Sequence, residues 1–233
     1  MAKYGLFATC LADMMRPQIA AAADKLMREA GVVPFYPPSQ TCCGQVAFNS
    51  GRFPEAAELA EKCADLFADC TNVVFPSASC CGMFRAHWKE MFSEDNAKMR
   101  DFSEKCVELS EFLQKMEYSP PPRQYLRATY HDCCAGLREM GIKSGPRQLL
   151  AQAGIDIVEM RDCEECCGFG GVFSVKFDNV SAVLADRKCD NIAAAADTVL
   201  LGDLGCILHL EGRNRRMGGN IRFRHWAEVL AGD

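Results

Sequence analysis

Cys42-Cys43-Gly44-Gln45 and Cys166-Cys167-Gly168-Phe169-Gly170-Gly171 are one phrase written twice in a chain of 233 residues. A cysteine pair followed by glycine says little alone, but here its surroundings repeat as well. Thirty-one residues separate Cys10 from Cys42, and 32 separate Cys133 from Cys166. Thirty-six separate Cys43 from Cys80, and 38 separate Cys167 from Cys206. The halves are offset by 123, 124 and 126 residues, a drift that loops absorb. The pattern reads as an internal duplication.

Working outward, Val73-Val74-Phe75-Pro76-Ser77-Ala78-Ser79-Cys80 lies over Val199-Leu200-Leu201-Gly202-Asp203-Leu204-Gly205-Cys206, an apolar run followed by small residues and a cysteine. Gly31-Val32-Val33 lies over Gly154-Ile155-Asp156, and Glu108-Leu109-Ser110-Glu111-Phe112-Leu113 resembles His225-Trp226-Ala227-Glu228-Val229-Leu230. The break Ser119-Pro120-Pro121-Pro122 has linker composition. It divides a first domain, residues 1–118, from a second, residues 123–233.

Short apolar runs at residues 4–8, 31–36, 73–75, 126–130, 155–159 and 198–201 predict buried strands. Helical patterns at residues 16–29, 54–70, 136–153 and 178–196 lie between them. Strand, helix, strand at this spacing is the βαβ unit, so the fold class is α/β, with two duplicated Rossmann-like halves built on parallel sheets. Parallel strands all end on one edge, where open α/β sheets bind their ligands. Cys10, Cys42 and Cys80 each follow a predicted strand. That edge therefore gathers Cys10, Cys42, Cys43 and Cys80, and the second half repeats the arrangement.

Composition limits what the cysteines are for. With 49% hydrophobic residues and a net charge of −5, the chain can fold around a core. Asp and Glu outnumber Lys and Arg by 31 to 26 with no basic run, which argues against nucleic acid as a partner. No stretch approaches the roughly 20 apolar residues of a transmembrane span. The apolar start is short and broken by Asp13 and Arg16, unlike a secretory signal. Fifteen cysteines are an odd number, so they cannot all pair within one chain. A reducing, cytoplasmic setting is expected, where cysteine-rich chains hold metals or do redox chemistry.

Zinc usually takes its thiolates from knuckles two to four residues apart. Adjacent cysteines diverge from a single small ion and suit a larger object, whose different irons each take one sulfur. An iron–sulfur cluster is the better match. The glycines after each pair let the main chain approach such a cluster and donate N–H groups to its sulfurs.

These motifs, with Phe7-Ala8-Thr9-Cys10, Asn49-Ser50-Gly51, Val172-Phe173-Ser174-Val175-Lys176 and His225-Trp226-Ala227-Glu228-Val229-Leu230, resemble the cysteine-rich CCG domain family. That family includes a subunit of heterodisulfide reductase, glycolate oxidase iron–sulfur subunits and lactate-utilisation proteins, and the resemblance spans nearly the whole chain. It implies an iron–sulfur cofactor, [4Fe-4S], one or two per chain, with ligands Cys10, Cys42, Cys43 and Cys80, and Cys133, Cys166, Cys167 and Cys206. In the heterodisulfide reductase pattern each domain ends in CxxC and supplies a fifth cysteine. Met83 and His209 stand at those positions here, leaving Cys81, Cys134 and His209 as candidate extra ligands.

The resemblance further implies a redox subunit that moves electrons as a small 2-hydroxy acid, L-lactate, is oxidised to pyruvate. Its partners would be lactate utilisation proteins B and C. A disulfide or thiol reductase using Cys81, Cys134 and Cys163 is the alternative, and a zinc scaffold a third. No GxGxxG after a strand and no P-loop suggest a nucleotide. Cys63, Cys70, Cys106 and Cys189 read as packed core thiols. Cys163 reads as a redox partner or alternate ligand. His131-Asp132 is either a pair placed to handle protons or a satisfied loop histidine. Arg213, Arg215 and Arg216 read as a solvated basic cluster or a docking point for carboxylate.

Overall fold

The computed structural model describes residues 2–232, and the chain divides into two compact units, one running to Tyr118 and the other starting at Ser119. In the first, β1 (Tyr4–Leu6), β2 (Asn72–Phe75) and β3 (Cys106–Glu108) form a parallel sheet in the order β1-β2-β3. In the second, β4 (Arg127–His131), β5 (Asp156–Ile157), β6 (Thr198–Leu201) and β7 (Arg222–His225) form another in the order β5-β4-β6-β7, again parallel throughout. The α/β class with one parallel sheet per repeat stands. Among the described residues no helix is long and apolar enough to cross a membrane.

Each core is built around its central strand. Val73, Val74 and Phe75 are fully buried, and so are Val199, Leu200 and Leu201. In the first unit Phe7 stacks on Phe75 with ring centroids 4.7 Å apart, and Phe84 packs edge-on to Phe7 at 5.9 Å. Burying each such ring contributes about 1.5–3 kcal/mol. The helix Pro17–Glu29 shows how a strand is covered. Proline stands in its first turn, where a missing N–H costs nothing. Ile19, Ala22, Ala23, Leu26 and Met27 form its buried face, spaced three and four apart. Beyond it Gly31 turns the chain at φ +83°.

Three expectations need correction. Residues 31–36 make only one bridge, in which Phe35 donates to Tyr4 O at 2.6 Å and accepts from Leu6 N at 2.9 Å. Pro34, Pro37 and Pro38 on either side have no N–H with which to extend the ladder. The helix expected over residues 136–153 is two pieces, a wide π-type turn at Ala135–Glu139 and a helix at Ser144–Gln152, interrupted by Gly141 at φ +69°. Finally, β3 and β7 were hidden by charged residues, in Cys106-Val107-Glu108 and Arg222-Phe223-Arg224-His225. The similarity near the two half ends now has a cause. Each of these strands runs directly into a helix through a capping box, Glu108 with Glu111 and His225 with Glu228.

Candidate metal centres

The sulfur groups form where three loops leave the same sheet edge. In the first unit Cys10 opens the helix Cys10–Met15, whose preceding residue, Thr9, caps Ala12 N at 3.3 Å. Cys80 lies in the first turn of the helix Ala78–Arg85. The pair Cys42-Cys43 comes from the loop between them in sequence. Gln40 of that loop donates its side-chain amide to Ala8 O, and Gln45 donates to Ser79 O at 3.3 Å, so one loop is laced to the other two. The Sγ atoms of Cys10 and Cys42 are 3.7 Å apart, and those of Cys43 and Cys80 are 3.3 Å apart.

Helix N-termini present partial positive charge, which favours thiolate. The negative charge settles on the first cysteine of the pair. Hydrogen bonds from the Cys10 and Cys43 thiols, with the Gly44 amide 3.4 Å away, hold Cys42 down at about 2. Cys10 is raised correspondingly by sharing its proton with Cys42. In the second unit the Cys134 and Cys167 thiols, with the Gly168 amide at 3.3 Å, hold Cys166 down at about 2. Gly44 and Gly168 make these amide contacts at φ +91° and +86°. A Cβ there would meet Ala56 O at 3.0 Å and Ser181 O at 2.8 Å respectively, so glycine is required twice over.

Strand register fixes which residues correspond. Leu6 faces Val74 in one sheet and Tyr130 faces Leu200 in the other. Cys80 and Cys206 lie six residues beyond those partners. Four residues beyond Leu6 is Cys10, and four beyond Tyr130 is Cys134, not Cys133. Cys134 starts its helical segment as Cys10 does and exchanges a hydrogen bond with Cys166. By register Cys134 corresponds to Cys10, and Cys133 to Thr9. The clue was present in the spacing, since 31 residues separate Cys134 from Cys166, as they do Cys10 from Cys42.

Other candidates fall elsewhere. Cys81 is buried beside Arg85 and the cap carboxylates Glu108 and Glu111, and burial pushes its thiol well up. Cys163 stands by Asp132, Glu159 and Arg147, its thiol raised by burial. Cys63, Cys70, Cys106 and Cys189 are all buried, as packed core thiols should be. His209 is half-buried, and its Nε2 lies 3.3 Å from Ser181 Oγ, which itself donates to Gly168 O at 2.7 Å. Arg213 is engaged by both carboxylate oxygens of Asp186 at 2.6 and 2.7 Å.

His131 and Asp132 separate into different roles. Arg147 grips Asp132 with two hydrogen bonds of 2.7 and 2.8 Å and lies over the Tyr130 ring. His131 is fully buried, and neither ring nitrogen makes a well-formed hydrogen bond, although the ring approaches the Cys163 carbonyl. Burial, with Lys188 nearby, lowers it to about 3, so the imidazole is neutral. One of its nitrogens lies with Cys167 Sγ and Cys206 Sγ in a set whose members are all within 4.8 Å of one another. Converging thiols, amides aimed at sulfur and an imidazole without a well-formed hydrogen bond together fit a thiophilic metal centre.

Comparison with known proteins places the chain in a family. Lactate utilization protein A 2 of Bacillus cereus is 38% identical over 236 residues, which cover 98% of each chain. Lactate utilization protein A of Geobacillus kaustophilus is 38% identical over 235 residues, again 98% of each. A hypothetical protein from Helicobacter pylori shares the fold with a TM-score of 0.67 at 9% identity, over 98% of this chain and 48% of that one. A family model described as a cysteine-rich domain, CCG, matches twice, over residues 4–85 and 128–211. With two CCG repeats and a relative 38% identical across its length, the chain belongs to the CCG cysteine-rich domain family.

Proposed function

We propose that each unit holds an iron–sulfur cluster of the [4Fe-4S] type, and that the chain is an electron-transferring subunit in the oxidation of L-lactate to pyruvate. The observation that carries the reading is the duplicated sulfur group, in which each half aims four cysteines at one sheet edge. Cys10, Cys42, Cys43 and Cys80 hold the first cluster. Cys134, Cys166, Cys167 and Cys206 hold the second, with Cys134 replacing the expected Cys133 on the strength of the register. A cluster bound there supplies one-electron redox chemistry. The protein's own part is to seat thiolate at Cys42 and Cys166, to direct the Gly44 and Gly168 amides at those sulfurs, and to keep the inner cysteines dry.

The substrate comes from the relatives, whose names specify lactate utilization. Oxidising lactate releases two electrons and two protons, so partner subunits are needed to bind substrate and collect electrons. We assign that work to lactate utilisation proteins B and C. The thiol-reductase alternative draws little support, because Cys81 is enclosed beside Arg85 and the Cys163 thiol is raised rather than activated. The test is lactate-dependent dye reduction by the three purified proteins together. Activity that disappears when this chain is omitted, or carries Cys42→Ser and Cys166→Ser, supports the proposal. Undiminished activity without the chain would refute it.

A further inference from the structure

The two units differ beside their sulfur groups. The shared register sets His131 where the first unit has Phe7. The helices over the glycine loops correspond as well, since Gly44 packs on Ala56 and Leu59 and Gly168 packs on Ser181 and Leu184. Four residues beyond those leucines, Cys63 in the first unit becomes Lys188 in the second. Phe7 is an ordinary core ring stacked on Phe75. His131 puts a polar ring in the equivalent fully buried place, with neither nitrogen in a well-formed hydrogen bond.

A buried imidazole whose best polar neighbour is a poorly placed carbonyl, that of Cys163, recovers little of its desolvation cost from the folded chain. Asp132, its neighbour, is occupied by Arg147. Lys188 donates to the carbonyls of Asp162 and Cys163. The Cys163 carbonyl that the ring approaches already accepts from Asp132 N at 3.3 Å and Lys188 at 3.4 Å, and the ring also faces the sulfurs of Cys167 and Cys206. His131, Cys167 and Cys206 present ligand atoms all within 4.8 Å of one another, close enough for donors of about 2.0–2.3 Å reach to share one metal centre.

We propose that His131 is a nitrogen donor to the metal centre of the second unit in addition to its four cysteines, giving it a mixed imidazole–thiolate ligand set, while cysteines alone hold the centre of the first. The inference rests on the cluster reading above and refines it. Added to four thiolates, a neutral imidazole brings no further negative charge, but it makes the second centre electronically distinct from the first. Lys188, a buried cation near Cys167, favours the reduced state of the second centre, and the first unit has Cys63 in its place. The duplication has thus produced two unequal sites, and their difference lies in the residues behind the sulfurs.

The test uses the full chain reconstituted anaerobically with iron and sulfide, grown with natural or nitrogen-15 histidine, reduced with dithionite and read by pulsed EPR. The expected result is a strongly coupled nitrogen whose pattern changes with the label. His131→Phe, which installs the ring that the first unit already folds around, abolishes the coupling. His131→Cys abolishes it while retaining iron, because a donor remains. His209→Met, which installs the first unit's residue, leaves it intact. Reduced clusters without a coupled nitrogen would overturn the inference and leave the cluster reading standing, as would coupling that survives His131→Phe. A wild-type chain with no iron–sulfur signal would remove both together.

Discussion

Replacing Gly168 with alanine tests whether the loop geometry behind the second site is as tight as it looks. Two costs add. A side chain at φ +86° enters the left-handed region, at roughly 1–2 kcal/mol. Its Cβ would lie 2.8 Å from Ser181 O and 2.9 Å from Leu184 Cβ, on a helix that cannot easily retreat. Overpacking of that kind costs about 1–3 kcal/mol, for a total of roughly 2–5 kcal/mol. Gly154 is the control, with φ +83° and nothing within 4 Å of the added carbon, so Gly154→Ala loses only the backbone part. Gly44→Ala falls between them, its nearest contact being Ala56 O at 3.0 Å. Urea unfolding of the full chain, with metal content matched across the three variants, should rank them Gly168, Gly44, Gly154 from most to least damaging. Equal losses at Gly168 and Gly154 would refute the claim that the loop is held by close approach to the helix.

Cys134→Ser should lower iron in the second unit and Cys133→Ser should leave it unchanged, measured as iron per reconstituted chain; the reverse would restore Cys133 as the ligand. Stability should also respond to pH through Glu108, whose buried carboxyl is raised from 4.5 to about 7. Between those values the folded chain holds a proton that the unfolded chain has lost, so stability falls as pH rises through the window, by about 3 kcal/mol in all. Glu108→Gln should flatten that slope in urea titrations at pH 5 and pH 8, and an unchanged slope would exclude Glu108 as its source. In air, cluster-free protein should form Cys43–Cys80 and Cys10–Cys42 disulfides first, since those sulfurs are only 3.3 and 3.7 Å apart. Peptide mapping would detect them, and full alkylation of all four thiols after exposure would contradict the geometry.

Legibility in the sequence followed the physics of each feature. Val73-Val74-Phe75 and Val199-Leu200-Leu201 were readable as central strands because burial on both faces demands an unbroken apolar run. The edge strands β3 and β7 were not, because Arg222 and Arg224 face outward and only Phe223 and His225 are buried. The cysteine pairs announced the site through repetition. The partner of Cys10 was harder, since Cys133 and Cys134 are adjacent and only strand register tells them apart. His131 could be noticed beside the cysteines, but not its lack of a well-formed hydrogen bond. That depends on Arg147, sixteen residues away, taking Asp132 for itself.

The central claim is that each unit carries iron and sulfide, and counting them tests it most directly. About four irons and four sulfides per unit are expected in anaerobically purified or reconstituted chain, with visible absorption that bleaches on dithionite. Either Cys42→Ser or Cys166→Ser should remove about half of that content, because each disables one centre. Zinc in place of iron, with no acid-labile sulfide and no bleachable absorption after reconstitution, would contradict the claim and leave the duplicated cysteines as a structural scaffold.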